Sequence, residues 1–294
     1  MKENSVNAVR TYTEYITLLQ NVHNTAPATL DWESLSMEPH PRMPINPSLL
    51  QLKAEYNFQA YKPTMSDYLT LRRGKKIREL SDKIESARRE DDLLYNAVLK
   101  QYRNDVLDWK KRQIISKGVK DLDPAFYQQA VTYFNPFSAV TRPGLQLNCD
   151  FFSNYVVINL HLDAAKIIPD YILTKTAEGK LSNAQMKASN YNRLLCGFVC
   201  GCTLRAAKEC LAILPVQFIC VNFSIGLVGR ISGIMESCNI LSVKFDHKNL
   251  QQADLQNQDA ADLIGSFVHR MVYVETDGFA AVEKITEVSG KYPL

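Results

Sequence analysis

Three features of the 294-residue sequence predict an α+β fold, a helical, coiled-coil-like N-terminal half followed by a mixed or antiparallel sheet packed against a long helix. Residues 75–117 run without Pro or Gly and keep apolar residues in a helical rhythm. Beyond Pro143 the rhythm changes to two, with Leu145, Leu147 and Cys149 alternating before the β-branched run Tyr155 to Leu162. A third stretch, Ser182 to Leu214, has Leu194, Leu195, Phe198, Cys202, Leu211 and Leu214 among its apolar positions and stops at Pro215, as a helix packed across one face of a sheet would. The change of rhythm sets the expected boundary: a helical region over 1–140 and an α+β domain over 141–294.

From the N-terminus, Val6, Val9, Tyr12, Ile16 and Leu19 share one helical face, so residues 5–22 are expected to be amphipathic helix. Pro27, Pro39, Pro41, Pro44 and Pro47 each remove an amide donor and disfavour helix in the preceding residue, so residues 24–47 form an arm laid over another surface. Short helices are expected over 47–61 and 66–71, the second capped by Ser66, with Gly74 breaking the chain before the long helix. Gly118 ends that helix, Asp123-Pro124 starts another over 124–134, and Asn135-Pro136-Phe137 turns the chain.

In the second half the hairpin precedes an expected third strand over Lys166 to Thr174, then a helix capped by Ser182. Strands follow at Val216–Phe223 and Ile240–Phe245, then a helix over Asp259–Met271 and a closing strand at Val272–Glu275.

On the long helix Ile77, Leu80, Ile84, Leu94, Val98, Tyr102 and Trp109 make a narrow apolar seam in dense charge, broken at Asp91. Such a seam suits a second copy, another protein, or an intramolecular hairpin with the helices before it. Residues 72–112 hold 13 Lys/Arg against 8 Asp/Glu, so the basic excess of a chain whose net charge is +3 is local. Arg72, Arg73, Lys75, Lys76, Lys110, Lys111 and Arg112 form a basic surface able to meet nucleic acid or an acidic partner.

Seven cysteines, an odd number confined to the second half, and an N-terminus without an apolar signal core point to reduced thiols and a cytoplasmic setting, with no membrane partner. Cys196 and Cys200 share a helical face from which Cys202 diverges, so no metal site and no cofactor is expected. No P-loop, Rossmann glycine pattern or nucleophile elbow occurs, and His23, His40, His161, His247 and His269 stand in no motif beside Ser or Cys. One acidic set survives. A hairpin, a third strand and a long helix follow the element order of a metal-dependent nuclease of restriction-endonuclease-like fold, whose centre would use Asp150, Asp163, Asp170 and Lys175 with His161 nearby. The five-residue gap between Asp170 and Lys175 departs from that fold's acid-x-lysine pair.

His23, seven residues later Asp31-Trp32, the charged helix, Asn135-Pro136-Phe137, Gly179-Lys180-Leu181-Ser182 and Leu214-Pro215-Val216 together resemble an uncharacterised family of bacterial proteins of unknown function. The resemblance implies no activity. His23, Asp31 and Trp32 are therefore read physically, as a clasp that docks the arm, with Trp32 burying its indole. The leading expectation is a noncatalytic protein that binds a partner or itself through the long helix, and the nuclease or a degenerate relative is the alternative.

Overall fold

Helix α7, Ala188–Ile213, is buried on nearly every side from Leu194 onward and forms the centre of the α+β body. A computed structural model describes residues 2–25, 28–65, 72–228, 233–253 and 258–285. Within them the class is α+β. The helices are α1 (Lys2–Gln20), α2 (Trp32–Ser36), α3 (Leu49–Gln59), α4 (Arg73–Lys120), α5 (Pro124–Phe134), α6 (Ala164–Ile167), α7, α8 (His247–Gln252) and α9 (Ala260–Gly265). The strands are β1 (Leu145–Phe151), β2 (Tyr155–Leu162), β3 (Tyr171–Lys175), β4 (Leu181–Gln185), β5 (Phe218–Val228), β6 (Met235–Asp246), β7 (Val268–Val274) and β8 (Gly278–Ala280).

Six strands form one sheet in the order β1-β2-β5-β6-β7-β8. Only β2 and β5 are parallel, and α7 lies in the crossover between them. Alternation sorts the two faces. Val156, Ile158, Leu160 and Leu162 of β2 lie beside Ile219, Val221, Phe223 and Ile225 of β5, all buried, and form the face toward α7. The opposite face carries Asn159, Asn222 and Ser242 in register across three strands.

Chain contacts divide the protein into an α+β unit, Met1–Trp32 with Lys117–Leu294, and a helical unit, Glu33–Ser116. The boundary expected near residue 140 is corrected by packing. Helix α1 joins the α+β unit because the Tyr12 and Tyr15 hydroxyls donate to the carbonyls of Tyr171 and Ile167, 2.7 Å each. Helix α5 joins it too, burying Tyr127 and Ala130, with the Tyr127 hydroxyl donating to Ser153 O.

Other elements also differ from expectation. The expected third strand over Lys166–Thr174 leaves the main sheet: residues 164–167 make a helical turn, and β3 pairs antiparallel with β4 in a separate two-stranded sheet. Ser182 sits in β4 opposite Thr174, and α7 begins only at Ala188. The turn between β3 and β4 depends on Gly179 at φ +85°. Strand β4 reads Leu-Ser-Asn-Ala-Gln and lacks the apolar alternation that marks strands. The helix expected over Asp259–Met271 is only α9, capped by the Asp259 carboxylate, after which the chain enters β7.

Neither glycine bounds the long helix as expected. Gly74 lies in its first turn and Gly118 near its last, where a Cβ would stand 2.0 Å from Phe126 Cγ. Gly118 is there for close approach rather than for termination. The helix expected over 66–71 lies outside the described residues.

Candidate functional site

In the helical unit the Pro-rich arm has carbonyls that no ladder can satisfy, and α4 supplies donors for them. Gln113 Nε2 donates to Leu35 O at 2.7 Å, Trp109 Nε1 to Glu38 O at 2.8 Å and the Tyr95 hydroxyl to Pro44 O at 3.2 Å. His40 packs edge-on against Trp109, with ring centroids 4.9 Å apart. The arm therefore runs antiparallel along one stripe of the helix. Arg112 grips Glu38 with two nitrogens at 3.0 Å and also pairs with Asp108, which withdraws it from the expected basic surface.

Asp91, the residue that broke the heptad, is buried and completes this arrangement. One carboxylate oxygen accepts from Leu50 N at 3.3 Å and the other from Gln51 N at 2.8 Å. These are orphan amides in the first turn of α3, whose own N-cap residue, Ser48, makes no side-chain cap. A carboxylate from a second helix thus caps α3 and meets the positive end of its dipole.

Beside that clamp lies a cleft of about 310 Å³, walled by Ile45, Pro47, Leu49, Leu94 and Val98. Of the apolar seam on α4, Leu80, Ile84, Tyr102 and Trp109 are half-buried, while Ile77, Leu94 and Val98 are exposed. Among the described residues of the helical unit, Ile115 is the single buried apolar side chain. Leu49, Leu52 and Tyr56 stand on one stripe of α3 at 65%, 56% and 70% exposure.

At the N-terminal end of α4, Arg72, Arg73 and Lys75 are exposed, and Lys76 is half-buried and paired to Glu79 at 3.4 Å; Lys110 and Lys111 are exposed as well.

The residues of the nuclease alternative do not converge. Asp150 is opposite Val157 and Asp163 follows Leu162, so the two lie about 20 Å apart along the ladder at 3.3 Å per residue. Asp163 pairs with Lys166 at 2.8 Å, whereas Asp170 and Lys175 flank and occupy β3 in the other sheet. Among the described residues no three His, Cys, Asp or Glu side chains gather as metal ligands.

The clasp residues have separate partners. Leu30 N donates to Ala212 O at 2.8 Å and Trp32 Nε1 to Ile213 O at 2.5 Å, so the segment satisfies the last carbonyls of α7. The Trp32 indole meets Phe134 edge-on, with centroids 5.7 Å apart. His23 is buried and its Nε2 lies 3.3 Å from Gln258 O, while Asp31 is exposed.

On the polar face of the sheet a directed chain of hydrogen bonds crosses four strands. Ser242 Oγ donates to Asn222 Oδ1 at 2.7 Å, Asn222 Nδ2 to Asn159 Oδ1 at 3.2 Å and Asn159 Nδ2 to Asp150 Oδ2 at 3.1 Å. Asp150, an acceptor when ionised, fixes the direction. Asp150 is the last acceptor of this row. On the same face His161 Nδ1 lies 3.1 Å from Ser224 Oγ and 3.3 Å from Ser237 Oγ, a grouping with no counterpart in local sequence. Ser224 Oγ donates to Leu160 O at 3.0 Å, which commits its proton to the backbone rather than to the imidazole.

All seven cysteines are free. Burial pushes the Cys149 and Cys202 thiols up to about 12 and raises Cys210 well above the ordinary range. The Cys200 thiol is raised by its hydrogen bond to Cys196, with burial adding to the effect. A raised thiol pKa leaves little thiolate at neutral pH, and thiolate is the reactive form. At pH 8 a thiol-specific disulfide reagent should titrate at most the two half-buried thiols, Cys149 and Cys238, within minutes, and all seven after denaturation. Rapid titration of five or more in the native protein would contradict this packing.

No known protein family, curated protein or solved structure matches the chain. No described helix is long and apolar enough to cross a membrane.

Proposed function

We propose that this is a noncatalytic, self-associating protein whose helical unit docks a second copy of itself. One observation carries the reading: the apolar stripe Leu49, Leu52 and Tyr56 stands exposed and continues at Leu49 into a cleft also walled by Leu94 and Val98, in a unit with almost no buried apolar side chain among its described residues. A helical stripe and an apolar cleft on the same surface are the two halves of a two-fold contact, in which each copy offers the stripe and receives it. The Asp91 clamp supports the reading by holding α3 in place without help from a core. The free thiols suit a reducing, cytoplasmic setting. Kinship with the uncharacterised bacterial family fits the same reading and adds no chemistry to it.

Light scattering during size exclusion tests the proposal. The wild-type chain should give the mass of a dimer at micromolar concentration, and the Leu52→Asp/Val98→Asp variant the mass of a monomer with unchanged far-ultraviolet circular dichroism. Both side chains are already exposed, so the charges cost the isolated fold little. A wild-type mass of one chain up to about 100 μM, where even weak specific dimers form, would overturn self-association. Capture of a different protein at the same residues would do so equally.

A further inference from the structure

The side of α4 turned away from the arm carries a second row of apolar side chains. Tyr95, Trp109 and Gln113 bond the arm, and Leu94 and Val98 wall the cleft. Roughly opposite them on the helix stand Leu93, Leu107 and Ile114, each more than half exposed. These three recur on a seven-residue period, the repeat by which one helix keeps a seam against another, and Lys100 fills the remaining place on it. The companion row, three residues on or four before, holds Asn96, Arg103 and Lys110, all exposed. Together they are the a and d positions of a heptad seam that no described part of the chain covers.

The charges on this seam differ from those elsewhere on α4. Lys76 and Lys83 pair with Glu79, Arg89 with Glu85 and Arg112 with Asp108, all within the helix. Among the described residues no carboxylate pairs with Lys100, Arg103 or Lys110, and the seam itself holds no acid between Leu93 and Ile114. Two copies of the seam paired in register, in either direction, would set Arg103 against Arg103, so it disfavours a second copy and differs in this from the α3 stripe. A nucleic-acid backbone would answer the cations but leave the three apolar side chains without a contact.

We infer that this seam docks an acidic amphipathic helix of another protein, with aliphatic side chains facing Leu93, Leu107 and Ile114 and carboxylates facing Lys100, Arg103 and Lys110. Contact between the apolar positions supplies the affinity, and the charges choose the partner and set its register. A cation packed against a neutral or basic helix loses hydration without gaining a counter-charge, so the residues that accept an acidic partner also reject the others. The seam lies on another side of α4 from the cleft, so it is tested separately from self-association.

The test uses the full chain and two fluorescently labelled synthetic helical peptides, one for each direction of pairing. Each places Leu opposite Leu93, Leu107 and Ile114, Gln opposite Asn96 and Glu opposite Lys100, Arg103 and Lys110. Anisotropy should show one of the two binding with a dissociation constant below about 100 μM, and more weakly as salt is raised. The Lys100→Glu/Arg103→Glu/Lys110→Glu variant should bind it at least about tenfold more weakly and should instead take the same peptide with Lys in place of Glu. Leu107→Ser/Ile114→Ser should weaken the contact as much, with no change in the mass of the protein. No binding of either peptide, binding indifferent to either variant, or tighter binding of a DNA or RNA duplex that Leu107→Ser/Ile114→Ser leaves unchanged would each overturn the inference. All five altered side chains are exposed, and unchanged circular dichroism confirms that both variants are folded.

Discussion

Replacing Glu209 by leucine is expected to destabilise the α+β unit by about 3–5 kcal/mol, the cost of leaving one member of a buried ion pair without its partner. Arg205 and Glu209 lie one turn apart on α7 with both side chains 9% exposed. Arg205 Nε donates to Glu209 Oε1 at 2.6 Å, and a second guanidinium nitrogen reaches Thr25 O at 2.7 Å. Without the carboxylate, the guanidinium keeps its desolvation cost and loses most of the compensation. Removing both charges, with Arg205→Met and Glu209→Leu together, should recover most of the loss, because a well-packed apolar pair is often as stable as a buried ionic one. Urea denaturation of the two variants measures the contrast. A single-variant loss below about 1 kcal/mol would mean that water screens the pair.

The second large effect is local. Asp91→Ala removes both acceptors from the first turn of α3, and two hydrogen bonds to a charged group are together worth about 2–3 kcal/mol even after competition with water. Amides of residues 50–59 should then exchange roughly 30- to 150-fold faster, while α7 and the main sheet keep their protection, because α3 opens without the α+β unit. Asp91→Asn should fall between the two, since an amide retains one acceptor but no charge. Uniform acceleration across the whole chain would show that the clamp is not confined to the helical unit.

Asp91 also shows where sequence reasoning stops. The long helix, its seam and the Pro-rich arm are readable because each follows from local rhythm or from missing amide donors. The partner of Asp91 is not, because it lies 40 residues away and is a backbone amide rather than a side chain. The hairpin β1–β2 is readable for the same local reason, through alternation between Leu145 and Leu162. Strand β4 is not, since its polar sequence takes its place from Gly179 and from pairing with β3.

The candidate sites divide along the same line. Trp32 could be read as an anchor from its size and its place in a Pro-rich region, though not its target, the carbonyl end of α7. The row from Asp150 to Ser242 draws one residue from each of four strands, so it exists only once the order β1-β2-β5-β6 is known. Asp150 entered as a nuclease candidate because acids on a hairpin followed by a helix fit that element order. It ends a hydrogen-bonded row instead, because β3 and its flank left the sheet and took Lys175 and Asp170 with them.

The central claim is that the surface formed by the α3 stripe and the α4 cleft is covered by a second copy. Hydrogen–deuterium exchange recorded at two protein concentrations, one well above and one well below the dimer dissociation constant, tests it most directly. Residues 45–59 and 91–102 should exchange more slowly at the high concentration, with α7 and the main sheet unchanged, because only the contact surface gains protection. Identical exchange curves for those residues at both concentrations would contradict the claim.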